Sequence, residues 1–141
     1  MRTFCLAIVA LLAFGFSSIA EANTITAKIS ISSQTMTVMH NGMVKYKWKV
    51  STGRRGYITP VGSYRAYWAS RHHRSRKYDN APMPFAIFFK GGYAVHATYD
   101  VKRLGRPASH GCVRLHPSNA AKFFSLAQQY GLKNTRVVIA H

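Results

Sequence analysis

Carboxylates are what this chain has least of: Glu21, Asp79 and Asp100 are its three acidic residues, set against twenty lysines and arginines. A catalytic pair of carboxylates is thereby nearly excluded, and acid–base chemistry is left to His, Cys, Tyr or Lys. Cysteine is just as scarce, with Cys5 and Cys112 alone. There is no Pro/Ser/Gly-rich linker, no internal repeat and no low-complexity tract, so nothing marks a boundary between folded domains.

Near the N-terminus Arg2 precedes an apolar run from Phe4 to Ile19, and Ala20-Glu21-Ala22 supplies the small-x-small pattern that a signal peptidase cuts after. The run falls short of the roughly 20 apolar residues a membrane span needs. This predicts a cleaved export signal over residues 1–22 and no integral membrane segment after cleavage. Removal leaves residues 23–141, enough for one core and too few for two. Arg2 and Glu21 leave together, so the formal charge of the remainder stays at +17. Such a chain is drawn to polyanions. Export argues against nucleic acid and for the anions of an envelope: wall polymers, acidic lipid head groups and carboxylate-bearing peptides. A single-strand nucleic-acid surface would interleave arginines with stacking aromatics, a pattern that Tyr64, Tyr67 and Trp68 barely approach.

Eight Tyr and eight Phe suit a folded domain rather than a disordered basic tail. Ile25, Ala27, Ile29 and Ile31 alternate with polar residues, as do Met36 and Val38, then Tyr46, Trp48 and Val50. Asn41-Gly42 between two such runs predicts a hairpin, because both residues tolerate positive φ. Ser51 to Gly56 reads as a loop, and Thr59-Pro60-Val61-Gly62 punctuates the start of a strand from Ser63 to Trp68. Residues 70–80, with Arg71, His72, His73, Arg74, Arg76 and Lys77, read as an exposed basic loop broken off by Pro82 and Pro84. Phe85–Phe89 and Tyr93–His96 flank Gly91-Gly92 as a second hairpin. Pro117 at a helix start, Phe123, Phe124, Ala127 and Tyr130 on one face, and Gly131 at the stop predict one sizeable helix. Val137 to Ala140 closes the chain as a strand. The expected class is mainly β with helical decoration.

Cys112 is the one thiol left after residues 1–22, so it has no intramolecular disulfide partner. A free thiol outside the cytoplasm, flanked by Gly, His and Arg, is a candidate nucleophile. Its ordinary pKa of about 8.5 calls for a base. Two histidines compete: His110, two residues before it, and His96, sixteen residues before it and brought back by a loop containing Gly105-Arg106-Pro107. Gly111 removes a side chain beside the thiol, and backbone N–H groups near Gly111 and Cys112 suit a developing oxyanion. Arg114 offers a fork for a carboxylate. His110 and His116, with Cys112 between them, form a weaker alternative as zinc ligands; His72-His73 reads as a solvated pair.

Ser109-His110-Gly111-Cys112-Val113-Arg114-Leu115, preceded by His96, resembles the catalytic signature of the L,D-transpeptidases, the YkuD or ErfK/YbiS/YcfS/YnhG type. Ser51-Thr52-Gly53, Thr59-Pro60-Val61-Gly62 and the Asn41-Gly42 hairpin leading to Trp48 extend the likeness from about residue 24 to 140. The resemblance implies a β-sandwich-like catalytic domain over residues 23–141, acting on peptidoglycan stem peptides in the periplasm or cell envelope of a bacterium. Members take an acyl group from a tetrapeptide stem as a thioester, expelling the terminal D-residue. They pass it to an amine, either on another stem or on a lysine of an envelope protein, and need no cofactor and no metal. Carried over, Cys112 is the nucleophile and His96 the general base. His110, Gly111, Ser109 and Ala97 shape the site, and Arg114 engages substrate or steadies the motif. The family commonly has Gly where this chain has Ala97. Two rival expectations remain at this point: a thiol carboxypeptidase or endopeptidase that passes the acyl group to water, and a non-catalytic basic protein that binds the wall.

Overall fold

A computed structural model describes residues 23–141; the expected signal segment lies outside the described residues. Two sheets pack face to face around one core. The first holds five strands in the order β3-β2-β1-β9-β4: β1 Ile25–Ser30, β2 Thr35–His40, β3 Met43–Lys49, β4 Gly62–Arg65 and β9 Thr135–Ala140. The second holds four in the order β5-β6-β7-β8: β5 Trp68–Arg74, β6 Pro82–Lys90, β7 Tyr93–Ala97 and β8 Val113–Leu115. One helix of fourteen residues, α1 (Pro117–Tyr130), packs against β6 and β7. Short 3-10 turns at Val101–Arg103 and Leu132–Asn134 complete the described residues. Among them the fold is thus a mainly β sandwich with a single long helix.

Alternation fixes which side of each strand is buried. Ile25, Ala27 and Ile29 of β1, Met36 and Val38 of β2, and Val137 and Ile139 of β9 point inward. Val95, Ala97, Val113 and Leu115 meet them from the second sheet, with Phe123, Phe124 and Ala127 of α1 filling between. Each such Val, Ile or Phe contributes roughly 1.5–3 kcal/mol on burial. The Asn41-Gly42 turn has positive φ at both residues, 50° and 79°, which is what a two-residue hairpin requires. Pro117 opens α1 and Gly131 ends it, and the first-turn amide of Ser118 is accepted by the His116 ring rather than by a Ser, Thr or Asp cap.

Four expectations need correction. The strand expected over Ser63–Trp68 is two strands in different sheets, because the chain crosses over at Ala66-Tyr67. The basic stretch 70–80 is a loop only from Ser75 on; Ser70–Arg74 belongs to β5, paired with Pro82–Ala86. Arg and His at strand positions conceal the period-2 pattern from a hydrophobicity reading. Nor do Pro82 and Pro84 end an element, since both lie inside β6. On its other side β7 pairs only with Ile87, Phe88 and Lys90, so no ladder partner there needs the missing proline amides. The last strand also begins two residues earlier than expected, at Thr135.

Candidate active site

β7 and β8 are parallel neighbours with His96 opposite Arg114 and Val95 opposite Val113. Paired residues share a face and alternate residues share a side. Val95, Ala97, Val113 and Leu115 therefore face the core, while Ala94 and His96 face outward beside Cys112 and Arg114. There His96, Cys112 and Arg114 line a cleft of about 720 Å³, with Met83, Phe88, Tyr93, Asp100, Arg103, Ser109 and His110 among its walls. Cys112 packs on Met83, Ala86, Phe88 and Ala94. Its Sγ lies 3.9 Å from the Gly92 carbonyl oxygen, and the Ala94 amide hydrogen-bonds the sulfur.

His96 is buried, and its Nδ1 lies 2.7 Å from the Ala97 carbonyl oxygen. A carbonyl only accepts, so in the neutral ring Nδ1 carries the proton and Nε2 is left as a free base. Burial lowers the His96 pKa to about 4; the Ala97 hydrogen bond opposes this, and Arg114 and His73 add to it. Burial also pushes the Cys112 thiol up, against the Ala94 amide and the Arg114 charge, which favour the thiolate. At rest and near neutral pH the pair is a thiol and an uncharged imidazole. Ala97 acts here through its backbone, because its side chain is fully buried in the core and away from the cleft.

A buried polar scaffold holds the segment that carries the thiol. Ser51 exchanges two backbone hydrogen bonds with Arg114, at 3.0 and 2.9 Å. The Thr52 carbonyl accepts from Ala108 and Ser109. Gln34, in β-turn geometry at φ 52°, locks Thr52 in turn, donating to its Oγ1 at 2.7 Å and accepting from its amide at 2.9 Å. Ser109 Oγ donates to the Cys112 carbonyl at 2.5 Å and accepts from the Gly111 amide at 3.0 Å. Thr59 Oγ1 accepts from Gly53 N–H and donates to the Gly111 carbonyl, both at 2.8 Å. Gly111 has φ 120°, and a Cβ there would sit 2.6 Å from the Tyr93 ring. Only glycine fits.

The structure brings Cys112, His96, Arg114, Ser109 and His110 to one cleft, with Gly111 beneath them. His110 is turned toward aromatic partners: its ring stacks on Tyr78 at 4.1 Å and leans on Tyr57 at 4.7 Å. His116 is not brought to the cleft. Its Nδ1 caps α1, so the zinc alternative loses one of its three donors. Sequence reading missed Gln34, Thr59, Tyr78 and Tyr93 as parts of the site. Thr59 lay within a noted Thr-Pro-x-Gly motif, whereas the other three had no sequence signal tying them to residues far along the chain. Arg71 proves to lie over the Phe85 and Phe124 rings rather than in the basic loop.

A sandwich with a His on one strand and a Cys at the entry to its parallel neighbour, over a cationic cleft, defines a class of thiol–imidazole catalytic domains. The chain belongs to the L,D-transpeptidase catalytic domain family, whose YkuD model matches residues 24–139. It is 30% identical over 112 residues to L,D-transpeptidase 1 of Mycobacterium tuberculosis (strain H37Rv), covering 67% of this chain and 43% of that protein. It is 26% identical over 115 residues to YkuD of Bacillus subtilis (strain 168), covering 79% of this chain and 63% of that protein. The chain thus spans less than two thirds of either relative. The structure of L,D-transpeptidase LdtMt1 in complex with imipenem superimposes with a TM-score of 0.73 at 26% identity, over 84% of this chain and 59% of that one. An L,D-transpeptidase from Stackebrandtia nassauensis gives 0.73 at 26% identity, over 89% and 62%.

Proposed function

We propose that this protein is an exported L,D-transpeptidase of the bacterial envelope that acylates Cys112 with a peptidoglycan stem and hands the acyl group to an amine. The reading is supported by Cys112, just before β8, and His96 of the neighbouring β7 lining one cleft, with the imidazole tautomer set by the Ala97 carbonyl. Sγ attacks the carbonyl carbon that precedes the terminal D-residue, and its proton passes to His96 Nε2. The Cys112 N–H receives the developing oxyanion. Collapse breaks the C–N bond, and His96 returns the proton to the departing amine. The acceptor amine then attacks the thioester, gives its proton to His96, and releases Cys112 as the thiol. Two steps replace one difficult amide exchange. Because the resting pair is uncharged, proton transfer accompanies attack instead of preceding it.

Arg114, Arg103, Arg76 and Lys77 supply the positive walls suited to a stem rich in carboxylates. His110, held between Tyr78 and Tyr57, shapes the acyl-donor side. Ser109 and Gly111 fix the backbone from which the thiol and the oxyanion donor project. The acceptor is the amine of a second stem or of an envelope-protein lysine, and residues 1–22 are the export signal that takes the domain to the periplasm. The test is intact-mass analysis with a defined tetrapeptide muropeptide, and with imipenem as in LdtMt1. One adduct per chain, lost in Cys112→Ala, is expected; an adduct that persists in that variant overturns the assignment. Added amine should yield a transfer product; release of free acid alone would make the protein a peptidase.

A further inference from the structure

The face of the five-stranded sheet that points away from the core is a lattice of cations. Lys28 of β1, Lys47 and Lys49 of β3, Arg65 of β4 and Arg136 of β9 are all exposed, and so is Lys45 at the bulge in β3. Their cross-strand neighbours on that face are Thr26, Thr35, Thr37, Ser30 and Val138. No acidic residue occurs anywhere on these five strands. Arg65 and Arg136 are directly opposite each other, and like charges so placed are destabilising. Lysines on an edge strand such as β3 are a common guard against edge pairing. That account does not reach Lys28 or Arg136, which sit on interior strands of the sheet.

At one corner of this face the β2–β3 hairpin exposes an apolar side chain, Val44, at 67% of its full surface, while the exposed Met43 pairs with His40 and turns to the other side of the sheet. Val44 is paired with Met39, on the cationic side of the sheet. The same hairpin is tied to the start of the domain, for Thr24 N–H donates to Asn41 Oδ1 and Asn41 N–H donates to the Thr24 carbonyl, both at 2.9 Å.

We infer that this face docks on an anionic lipid bilayer, with Val44 entering the headgroup layer and the lysines and arginines lying on the lipid phosphates. Five strands at about 4.8 Å spacing make a surface roughly 20 Å across, which presents charge to a plane of head groups. It offers neither a groove for a polymer nor an exposed aromatic for stacking on bases or sugars. Cationic side chains beside a small apolar wedge are the combination that holds a protein to a membrane surface reversibly. The cleft opens on the outer face of the other sheet, so a domain docked this way turns Cys112 away from the bilayer. The inference stands on charge and shape and does not depend on the reaction.

The test uses residues 23–141, which contain both sheets, α1 and the whole core, in flotation with vesicles. Binding is expected to vesicles containing 30% phosphatidylglycerol and not to pure phosphatidylcholine. Changing Lys28, Lys47, Lys49 and Arg136 to Gln should lower that binding by about fivefold per cation, several hundredfold in all. Val44→Ser should lower it with no change in net charge. Both variants should keep at least the parental melting temperature, and the parental rate of imipenem acylation. Arg74→Gln/Arg76→Gln/Lys77→Gln, on the cleft side, should retain vesicle binding to within a few fold. Equal losses from the two cationic sets would show diffuse attraction to net charge and overturn the proposal. So would a Val44 variant that binds vesicles like the parent while the lattice variant loses only soluble polyphosphate.

Discussion

His96 is neutral in a folded protein whose unfolded chain would charge it near pH 6.5, and the difference has a size that an unfolding experiment can read. Its pKa falls to about 4 because the ring is buried. Above pH 6.5 neither state binds the proton and the group contributes nothing to the pH dependence. As the pH falls from 6.5 to 4, the unfolded chain takes up a proton that the folded one refuses, so stability drops. Below 4 both states are charged and the loss levels off. At 1.36 kcal/mol per unit, the window amounts to about 3 kcal/mol, a large part of the 5–15 kcal/mol a domain commonly has. The comparison is urea unfolding of the parent and of His96→Gln, which does not titrate, at intervals from pH 7.5 to 4. Relative to the variant, the parent should lose about 3 kcal/mol, nearly all of it below pH 6.5. His73 and His110 titrate in both proteins and cancel in the difference. A parent–variant gap that stays constant across the window, or a ring proton titrating with a midpoint near 6.5 by NMR, would refute a buried neutral base.

Much of the molecule could be read along the chain where one face is wet and the other dry. The alternation in β1 and β2, the Asn41-Gly42 turn and the Pro117-to-Gly131 helix were legible because each signal is local. β5 and the first half of β6 were not. Ser70–Arg74 carries Arg and His on both faces, since one side is solvent and the other lines the cleft, and a polar cleft erases hydrophobic period. The split at Ala66-Tyr67 escaped for a different reason. Tyr64 and Trp68 alternate without a break, and only the pairing of β4 with β9 and of β5 with β6 separates them. In the candidate site, the lone thiol and the upstream histidine declared themselves by scarcity and spacing. The choice of His96 over His110 came from resemblance, and the contacts of His110 with Tyr57 and Tyr78 had no local signal. Gln34 was out of reach because its partner, Thr52, lies eighteen residues away and is joined to it only in the fold.

Cys112 should alkylate slowly with iodoacetamide, at a rate nearly flat from pH 6 to 8 and rising only as the pH passes the ordinary thiol range, because burial raises its pKa; a midpoint near pH 7 would mean a preformed thiolate. Gly111→Ala, with a Cβ 2.6 Å from Tyr93 at φ 120°, should cost about 1–3 kcal/mol in urea unfolding; an unchanged midpoint would show that the loop has room to move. Replacing Arg74, Arg76 and Lys77 by Gln should weaken binding to isolated wall sacculi and flatten its salt dependence; salt-independent binding by the parent would contradict this. Thr59→Val removes the hydroxyl that joins Gly53 N–H to the Gly111 carbonyl, keeping the shape but leaving a buried donor and a buried acceptor unpaired, at about 1–3 kcal/mol each. With its carbonyl released, the Gly111–Cys112 peptide can rotate, and the Cys112 N–H loses its aim at the oxyanion. Imipenem acylation should therefore fall by about 10- to 100-fold in the fraction that remains folded, a lesser loss than removing a well-aligned oxyanion donor outright. Thr59→Ser, which keeps both hydrogen bonds and drops one methyl, should acylate at close to the parental rate. A folded Thr59→Val that acylates like the parent, or a Thr59→Ser that fails as badly as the valine, would show that the hydroxyl holds the fold without aiming the thiol's peptide.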